Sequence, residues 1–269
     1  MIKIGLIGCG AIGSQLARVI EQKFRDVARL VYVSDLDREK IRKLAKKIRS
    51  GKFHAISTLE LIHKSNFIIE AASQEAARAY VPQALKYHKD ILVLSVGGLL
   101  QIPNLSRLLR KSKSRVYVPS GAIAGVDAVV AAKTLGIKKV QITTRKPLAS
   151  LSGSPYFSER TRRFARIRKP TLVFEGSARQ AIRYFPQNIN VAATLSLAGL
   201  GPNKTRVRIF TSPTYRRNTH EIKMVGKFGR MVSKVMNIPS EGNPKTSSLA
   251  IASAIATLSK IFRRLKIGT

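Results

Sequence analysis

The polar run Arg217-Asn218-Thr219-His220-Glu221-Ile222 contains the residue of this chain best suited to proton transfer. A histidine titrates near neutral pH. It can therefore take up the proton released when a carbon-bound amine or alcohol is oxidised, or activate the water that attacks an imine. His54, His63 and His88 lie among lysines in predicted surface loops or helices, where solvation is the expected state. His220 is the candidate catalytic residue.

A glycine loop, Gly8-Cys9-Gly10-Ala11-Ile12-Gly13, follows a predicted strand and opens a predicted helix. Glycines at this spacing allow a tight turn, a close approach of backbone NH groups to a pyrophosphate, and close packing of helix on strand. The helix N-terminus adds partial positive charge. This context predicts a dinucleotide site, although a glycine turn without a ligand is the alternative. The predicted contacts in the loop are Gly8, Gly10, Ala11, Ile12 and Gly13.

Asp35 ends the next predicted strand, where an acidic residue of a dinucleotide site accepts hydrogen bonds from the adenine-ribose hydroxyls. A carboxylate there favours NAD, because it repels a 2'-phosphate. Arg38 nearby and the strongly positive chain leave NADP open as well. A helix-capping role is the alternative for Asp35.

The 269 residues suffice for two modest domains, or for one domain with a large insertion. Apolar residues at 44% and charged residues at 23% are ordinary for a globular protein, and no uninterrupted apolar stretch of about 18 residues could span a bilayer. Residues 1–7 read as a first strand and not as a signal peptide, so we expect a cytoplasmic protein without a membrane segment.

The net charge of +35, from 49 Lys and Arg against 14 Asp and Glu, would attract nucleic acid or anionic membranes. The charge is spread along the chain, however, and no nucleic-acid-binding motif accompanies it. A specific nucleic-acid function is therefore not expected. Cys9, the single cysteine, excludes an internal disulfide and a multi-cysteine metal site, and its place in the glycine loop favours a small packed side chain. No metal is expected.

Apolar runs of strand length alternate with stretches of helical spacing through the first part of the chain, which predicts a doubly wound, mostly parallel sheet. The predicted strands are 2–7, 30–33, 67–69, 91–95 and 116–118. Beyond Pro119 the runs 140–144, 171–174 and 206–210 alternate as strands of a more antiparallel sheet do. An apolar stripe predicts a long C-terminal helix within 243–269. The basic stretch 148–169 is predicted to be a mobile surface insertion.

These patterns divide the chain into two domains. Residues 1–119 are predicted to form a dinucleotide-binding domain that the helix in 243–269 completes. Residues 120–242 are predicted to form a catalytic domain that binds the substrate and makes the dimer contact.

Several segments together closely resemble L-aspartate dehydrogenases, in the family's order and over nearly the whole chain. They are Glu70-Ala71-Ala72-Ser73-Gln74, the run 120–128, Thr143-Thr144-Arg145-Lys146-Pro147, the run 174–178, the run 188–194, Asn218-Thr219-His220-Glu221-Ile222 and Asn243-Pro244-Lys245-Thr246-Ser247. The resemblance implies a Rossmann-type domain plus an α+β catalytic domain with an open mixed sheet. It also implies a homodimer and NAD or NADP as cofactor.

The resemblance also implies roles for individual residues. His220 matches the family's catalytic histidine, Ala72 and Ser73 lie in a matching cofactor segment, and Ala124 and Asn190 match cofactor contacts of the catalytic domain. A substrate with two carboxylates needs cationic or hydrogen-bonding partners, because an unpaired buried carboxylate is costly. The candidates for substrate contacts are Ser120, Asn190, Lys245 and Thr246, with Arg145 and Lys146 as further cations.

The reaction that the resemblance implies is hydride transfer from the α carbon of L-aspartate to the nicotinamide ring. The product is iminoaspartate, which gives oxaloacetate and ammonia or passes to quinolinate synthase in NAD biosynthesis. Two alternatives stay open. One is a related oxidoreductase of the homoserine dehydrogenase or dihydrodipicolinate reductase kind, and the other is a basic relative that binds nucleic acid.

Overall fold

The computed structural model describes residues 1–48, 53–151, 154–158, 164, 167–186, 189–240 and 243–268, with the side chains of 158 and 243–245 outside the described part. The chain divides into two units. The first unit comprises Met1–Pro119 and Ile251–Ile267, and the second comprises Ser120–Ala250.

A parallel sheet forms the centre of the first unit. Its strands, within the described residues, are β1 (Ile2–Ile7), β2 (Ala28–Ser34), β3 (His54–Ala55), β4 (Phe67–Glu70), β5 (Asp90–Val93) and β6 (Val116–Tyr117). They pair in the order β3-β2-β1-β4-β5-β6, and every ladder is parallel. This is the doubly wound order of dinucleotide-binding folds, with the change of direction between β1 and β4. The predicted fold of this unit is confirmed.

Helices connect these strands. They are α1 (Ala11–Lys23), α2 (Arg38–Lys47), α3 (Thr58–Lys64), α4 (Gln74–Lys86) and α5 (Leu105–Lys111). Ser57 caps the start of α3, because its hydroxyl accepts a hydrogen bond from the Glu60 N–H at 3.3 Å. Pro82 lies inside α4. None of the described helices is both long enough and apolar enough to cross a bilayer.

A mixed sheet forms the centre of the second unit. Its described strands are β7 (Ile137–Pro147), β8 (Thr171–Ser177), β9 (Thr205–Ser212), β10 (Thr219–Gly226) and β11 (Gly229–Met236). They pair in the order β11-β10-β7-β9-β8, in which only the β7–β9 ladder is parallel. The helices of this unit are α6 (Val126–Leu135), α7 (Pro155–Ser158), α8 (Ala178–Tyr184) and α9 (Asn190–Ala198). Helix α6 packs on β10, and α9 packs on β9. The mixed sheet is as predicted.

The C-terminal helix is shorter than the 243–269 segment in which it was predicted. Residues 243–247 form strand β13 (Asn243–Ser247), which pairs with β12 (Pro239–Ser240), and the helix α10 covers Ser248–Phe262. The Ser247 hydroxyl accepts a hydrogen bond from the Ala250 N–H at 3.1 Å, so the helix begins where the ladder ends. Ala254 and Leu258 are fully buried in the core of the first unit.

The stretch 148–169 is not simply a surface insertion. In its described part Leu151, Phe157 and Phe164 are buried, and the rings of Phe157 and Phe164 stack at 3.6 Å between centroids. The arginines, serines and prolines of this stretch favour a surface loop, but its aromatic side chains gain most from burial. The predicted surface position is wrong for these three residues.

Candidate active site

The glycine loop forms the turn between β1 and α1. Gly8 has φ +94°, and a Cβ there would lie 2.7 Å from the backbone of Ala71 and Ala72. A Cβ on Gly13 would lie 2.0 Å from the carbonyl oxygen of Gly8. A Cβ on Gly10, by contrast, would meet no atom of the described residues within 4 Å. Two glycines are therefore required by the turn itself, and the third leaves open space above the helix N-terminus.

The first turn of α1 presents unpaired backbone donors toward that space. The first intrahelical bond runs from the Ser14 N–H to the Gly10 carbonyl at 2.9 Å, so the N–H groups before Ser14 have no acceptor inside the helix. No acidic residue lies in this turn. The combination of donors and helix dipole suits an anionic pyrophosphate. Ala11 and Ile12, the predicted contacts beside the glycines, are half-buried here.

Asp35 is held beside the loop by its own carboxylate. Its Oδ2 accepts a hydrogen bond from the Cys9 N–H at 2.7 Å, and its Oδ1 accepts one from the Asp37 N–H at 2.9 Å. Each oxygen keeps a second lone pair that a ribose hydroxyl could use. The helix-capping alternative is wrong, because Asp37 is the residue that caps α2, through the Glu39 N–H.

A groove of about 490 Å³ runs along this edge of the first unit. Its lining includes Gly8, Gly10, Asp35, Lys40, Ala72 and Ser73. Of the predicted cofactor residues of the first unit, Gly8, Gly10, Asp35, Ala72 and Ser73 line this groove, whereas Ala11, Ile12 and Gly13 are not part of its lining. The open space at Gly10, the helix terminus and the Asp35 carboxylate fit a dinucleotide, whose pyrophosphate and adenosine ribose need these groups.

Glu70 supports the Ala72–Ser73 side of the groove and was not predicted as a site residue. Its carboxylate is fully buried at the end of β4 and accepts hydrogen bonds from the N–H groups of Ala72, Ser73 and Ser95 and from the Ser95 hydroxyl, at 2.9 to 3.1 Å. Burial raises the pKa of Glu70, and these bonds oppose that shift. An acidic residue that ends an apolar strand was the available sequence signal.

His220 lies on β10 in the second unit and is only 4% exposed. Its Nδ1 is 2.9 Å from the hydroxyl oxygen of Thr144, which the β7–β10 register places directly opposite. A hydrogen bond at Nδ1 fixes the ring orientation and leaves Nε2 for other chemistry. Burial, and after it the positive charge of Lys146, lowers the pKa of His220 to about 3. The imidazole is therefore neutral at physiological pH.

The two faces of the mixed sheet separate the candidate cations. Lys146 follows Thr144 by two residues and shares its face with His220, whereas Arg145 lies on the opposite face, 3.3 Å from a carboxylate oxygen of Glu221. Lys146 is 7% exposed, and burial lowers its pKa to about 8. The structure thus brings Lys146, and not Arg145, to the side of the histidine.

The segment 120–125, which contains Ser120 and Ala124, is tied to the end of β11. The Asn237 amide donates to the Ala122 carbonyl at 3.1 Å, and the Ser233 hydroxyl donates to the Ala124 carbonyl at 3.0 Å. Ser120 is half-buried and Ala124 is exposed. Asn237 was not predicted, because its partner lies 115 residues earlier in the chain.

The other predicted residues of the second unit lie on different elements. Asn190 is the first residue of α9 and is half-buried. Thr246 is half-buried on β13, in the small β12–β13 ladder and not in the mixed sheet. The side chain of Lys245 falls outside the described residues. In the part of the chain that the structure describes, no cluster of three His, Cys, Asp or Glu side chains could hold a metal ion.

Two family models match this chain, one on each side of residue 120. Residues 8–119 match the model described as homoserine dehydrogenase, NAD binding domain. Residues 127–261 match the model described as aspartate dehydrogenase, C-terminal. The match to homoserine dehydrogenase is limited to the nucleotide-binding half. The second half matches aspartate dehydrogenase, which separates the two oxidoreductase alternatives that the sequence left open.

Full-length relatives decide the family. L-aspartate dehydrogenases of Methanosarcina mazei and Methanosarcina barkeri are 44% and 43% identical, over 100% of this chain and 100% of each relative. The chain belongs to the L-aspartate dehydrogenase family. The crystal structure of the aspartate dehydrogenase from Thermotoga maritima matches with a TM-score of 0.74 and 26% identity, over 100% of both chains.

Membership of the L-aspartate dehydrogenase family confirms the predicted fold class and a pyridine nucleotide as cofactor. It makes the chain an oxidoreductase. Gly8–Gly13 and Asp35 lie in the half that the NAD-binding-domain model covers, and His220 lies in the half that the aspartate dehydrogenase model covers. The roles of the individual residues remain predictions.

Gly10 and Gly13 should respond differently to the same substitution. In Gly10→Ala the new methyl group projects into the space for the pyrophosphate, so we expect weaker NADH binding and an unchanged melting temperature. In Gly13→Ala the methyl group collides with Gly8, so the main effect we expect is a lower melting temperature. NADH fluorescence titration and thermal denaturation separate the two effects. Equal affinity for NADH in Gly10→Ala and the wild type would contradict the assignment.

The neutral state of His220 makes stability depend on pH in a definite direction. The folded protein binds this proton only near pH 3, whereas the unfolded chain binds it near pH 6.5, so stability is lost as pH falls below 6.5. Compared with His220→Gln, the wild type should lose about 2 kcal/mol more between pH 7 and pH 5. Urea denaturation at both pH values measures this difference. Equal losses of unfolding free energy in the two proteins would show that the pKa of His220 does not differ between the folded and the unfolded state.

Proposed function

We propose that this protein catalyses the NAD(P)-dependent oxidative deamination of L-aspartate. The product is iminoaspartate, which water converts to oxaloacetate and ammonia. The main support is the neutral, buried imidazole of His220, whose Nδ1 is hydrogen-bonded to Thr144. It lies on the sheet of the domain that matches the aspartate dehydrogenase C-terminal model. Relatives named L-aspartate dehydrogenase over their full length support the same substrate.

The cofactor would be held by residues of the first unit. The N-terminus of α1 and the open space at Gly10 receive the pyrophosphate, and the Asp35 carboxylate accepts hydrogen bonds from the adenosine ribose. When bound, NAD or NADP accepts the hydride from the α carbon of the substrate. Lys40, 3.8 Å from the Asp37 carboxylate, lines the same groove and offers a cation to a 2'-phosphate. Both cofactors therefore remain in the proposal.

His220 would move the protons. In this proposal Nδ1–H donates to the Thr144 hydroxyl oxygen, which leaves Nε2 as the basic atom. Nε2 takes the proton that the amino group loses as the C=N bond forms. After this proton has passed to solvent, Nε2 takes a proton from the water that adds to that bond. A substrate carboxylate would oppose the smaller cause of the lowered His220 pKa, which is the charge of Lys146, whereas the larger cause is burial.

His220→Gln tests this role. Glutamine preserves a polar side chain of similar size but cannot act as a base near neutral pH, so we expect kcat with L-aspartate to fall by about 100-fold or more. NADH affinity should not change, because the cofactor loop belongs to the first unit. His63→Gln, an exposed histidine on α3, is the matched control and should retain full activity. Undiminished kcat in His220→Gln would remove the histidine from this role.

The homodimer also belongs to the proposal. On the face of the mixed sheet opposite His220, Val232 is 53% and Met236 67% exposed among charged side chains such as Lys234, and exposed apolar side chains within a polar surface suit a subunit contact. Val232→Glu should shift the protein toward monomer in sedimentation velocity. Leu135→Glu, at an exposed position at the end of α6, should not. A dimer that persists in Val232→Glu would place the contact elsewhere.

We further propose that the protein works in the cytoplasm and that iminoaspartate passes to quinolinate synthase. The instability of an imine in water favours such a transfer, since hydrolysis competes with any later use of the product. A coupled assay with quinolinate synthase would compare quinolinate formation with the release of oxaloacetate.

A further inference from the structure

A group of buried polar side chains lies on the His220 face of the mixed sheet. On β7, Thr144 and Lys146 point to this face, and the register places His220 opposite Thr144. Residues two apart on paired strands lie within reach of each other, so Lys146 is a diagonal neighbour of the imidazole. The same face is apolar farther along the strands, where Ile142 pairs with Ile222. The polar group is therefore confined to one end of the sheet.

Two amide oxygens extend this group. Asn218 precedes His220 by two residues, and its carbonyl accepts the Asn237 N–H at 2.8 Å, so the two asparagines continue the β10–β11 ladder. Their Oδ1 atoms are buried and have no hydrogen-bond partner among the residues that the structure describes. The Asn237 amide is oriented by its donation to the Ala122 carbonyl, which turns Oδ1 away from that bond. A buried unpaired acceptor is costly, and a bound donor would remove the cost.

The chemistry of this group is complementary to an amino acid with an acidic side chain. Such a molecule offers carboxylate oxygens, which need a cation, and an amino group, whose N–H bonds need acceptors. We propose that Lys146 pairs with a carboxylate of the substrate and that the side-chain oxygens of Asn218 and Asn237 accept hydrogen bonds from its amino group. This inference rests on the proposed function and specifies which residues recognise the substrate.

Burial supports the role of Lys146. A lysine that is 7% exposed has a lowered pKa because its charge is poorly solvated, and a carboxylate partner restores the charged form. Lys146 also lowers the pKa of His220, so a carboxylate on Lys146 would change the basicity of the imidazole. Binding of the substrate carboxylate by Lys146 would therefore also affect the pKa of His220.

Succinate, a dicarboxylate without an amino group, tests Lys146 apart from catalysis. With NADH-saturated protein, we expect Lys146→Met to weaken succinate binding about 10- to 100-fold in calorimetry, and Lys146→Arg to retain part of the affinity. Lys139→Met is the matched control, because Lys139 is exposed on the same strand. Melting temperatures show whether each variant is folded, and Lys146→Arg keeps the charge of this buried side chain. Equal succinate affinity in Lys146→Met and the wild type would overturn the carboxylate assignment.

Asn218→Leu tests the amino-group assignment. The variant should bind L-aspartate about 10-fold more weakly and succinate as well as the wild type does, because only L-aspartate carries the amino group. A general disturbance of the sheet would weaken both ligands equally, and this result would overturn the assignment.

The failure of this inference differs from a failure of the proposed function. If the wild type oxidises L-aspartate and Lys146→Met does so with unchanged kcat/KM, the function stands and the recognition site does not. If the wild type binds succinate through Lys146 but does not oxidise L-aspartate, the carboxylate site stands and the function does not.

Discussion

The antiparallel register between β7 and β10 is the constraint on which the chemistry of the second unit depends. It places Thr144 opposite His220, so that a hydroxyl 76 positions away orients a buried imidazole. The same register brings Lys146 to the histidine and sends Arg145 to the other face, where Glu221 pairs with it. A slip by one residue would reverse both faces, because side chains alternate along a strand.

The first unit provides open space and backbone N–H donors at the N-terminus of α1, where an anion can bind. Gly8 and Gly13 are required because any side chain would strike backbone atoms, whereas Gly10 maintains a gap above the helix N-terminus. Two carboxylates support the surrounding loops. Asp35 accepts the Cys9 N–H, and Glu70 accepts N–H groups from the loops that follow β4 and β5. Backbone N–H donors stabilise these carboxylates in place and so fix the loops around the groove.

Burial gives the polar residues near His220 properties that their types alone do not have. An exposed histidine would be partly protonated near pH 6.5, whereas this one stays neutral down to about pH 3. Burial likewise lowers the pKa of Lys146 to about 8. Both shifts follow mainly from poor solvation of charge, and for His220 the positive charge of Lys146 adds to it.

The sequence by itself determined the features that depend on local order: the strand, glycine loop and helix of residues 2–23 and the parallel class of the first sheet. It also predicted His220 as the catalytic histidine. Only the tertiary structure decided which residues surround that histidine. Thr144 and the carbonyl partner of Asn237 lie far away in sequence, and whether Arg145 or Lys146 shares the face of His220 depends on strand register. The tertiary structure also decided where α10 begins, because residues 243–247 pair with β12 and cannot join the helix. Local spacing encodes periodicity, whereas contacts between distant segments depend on how the strands pair.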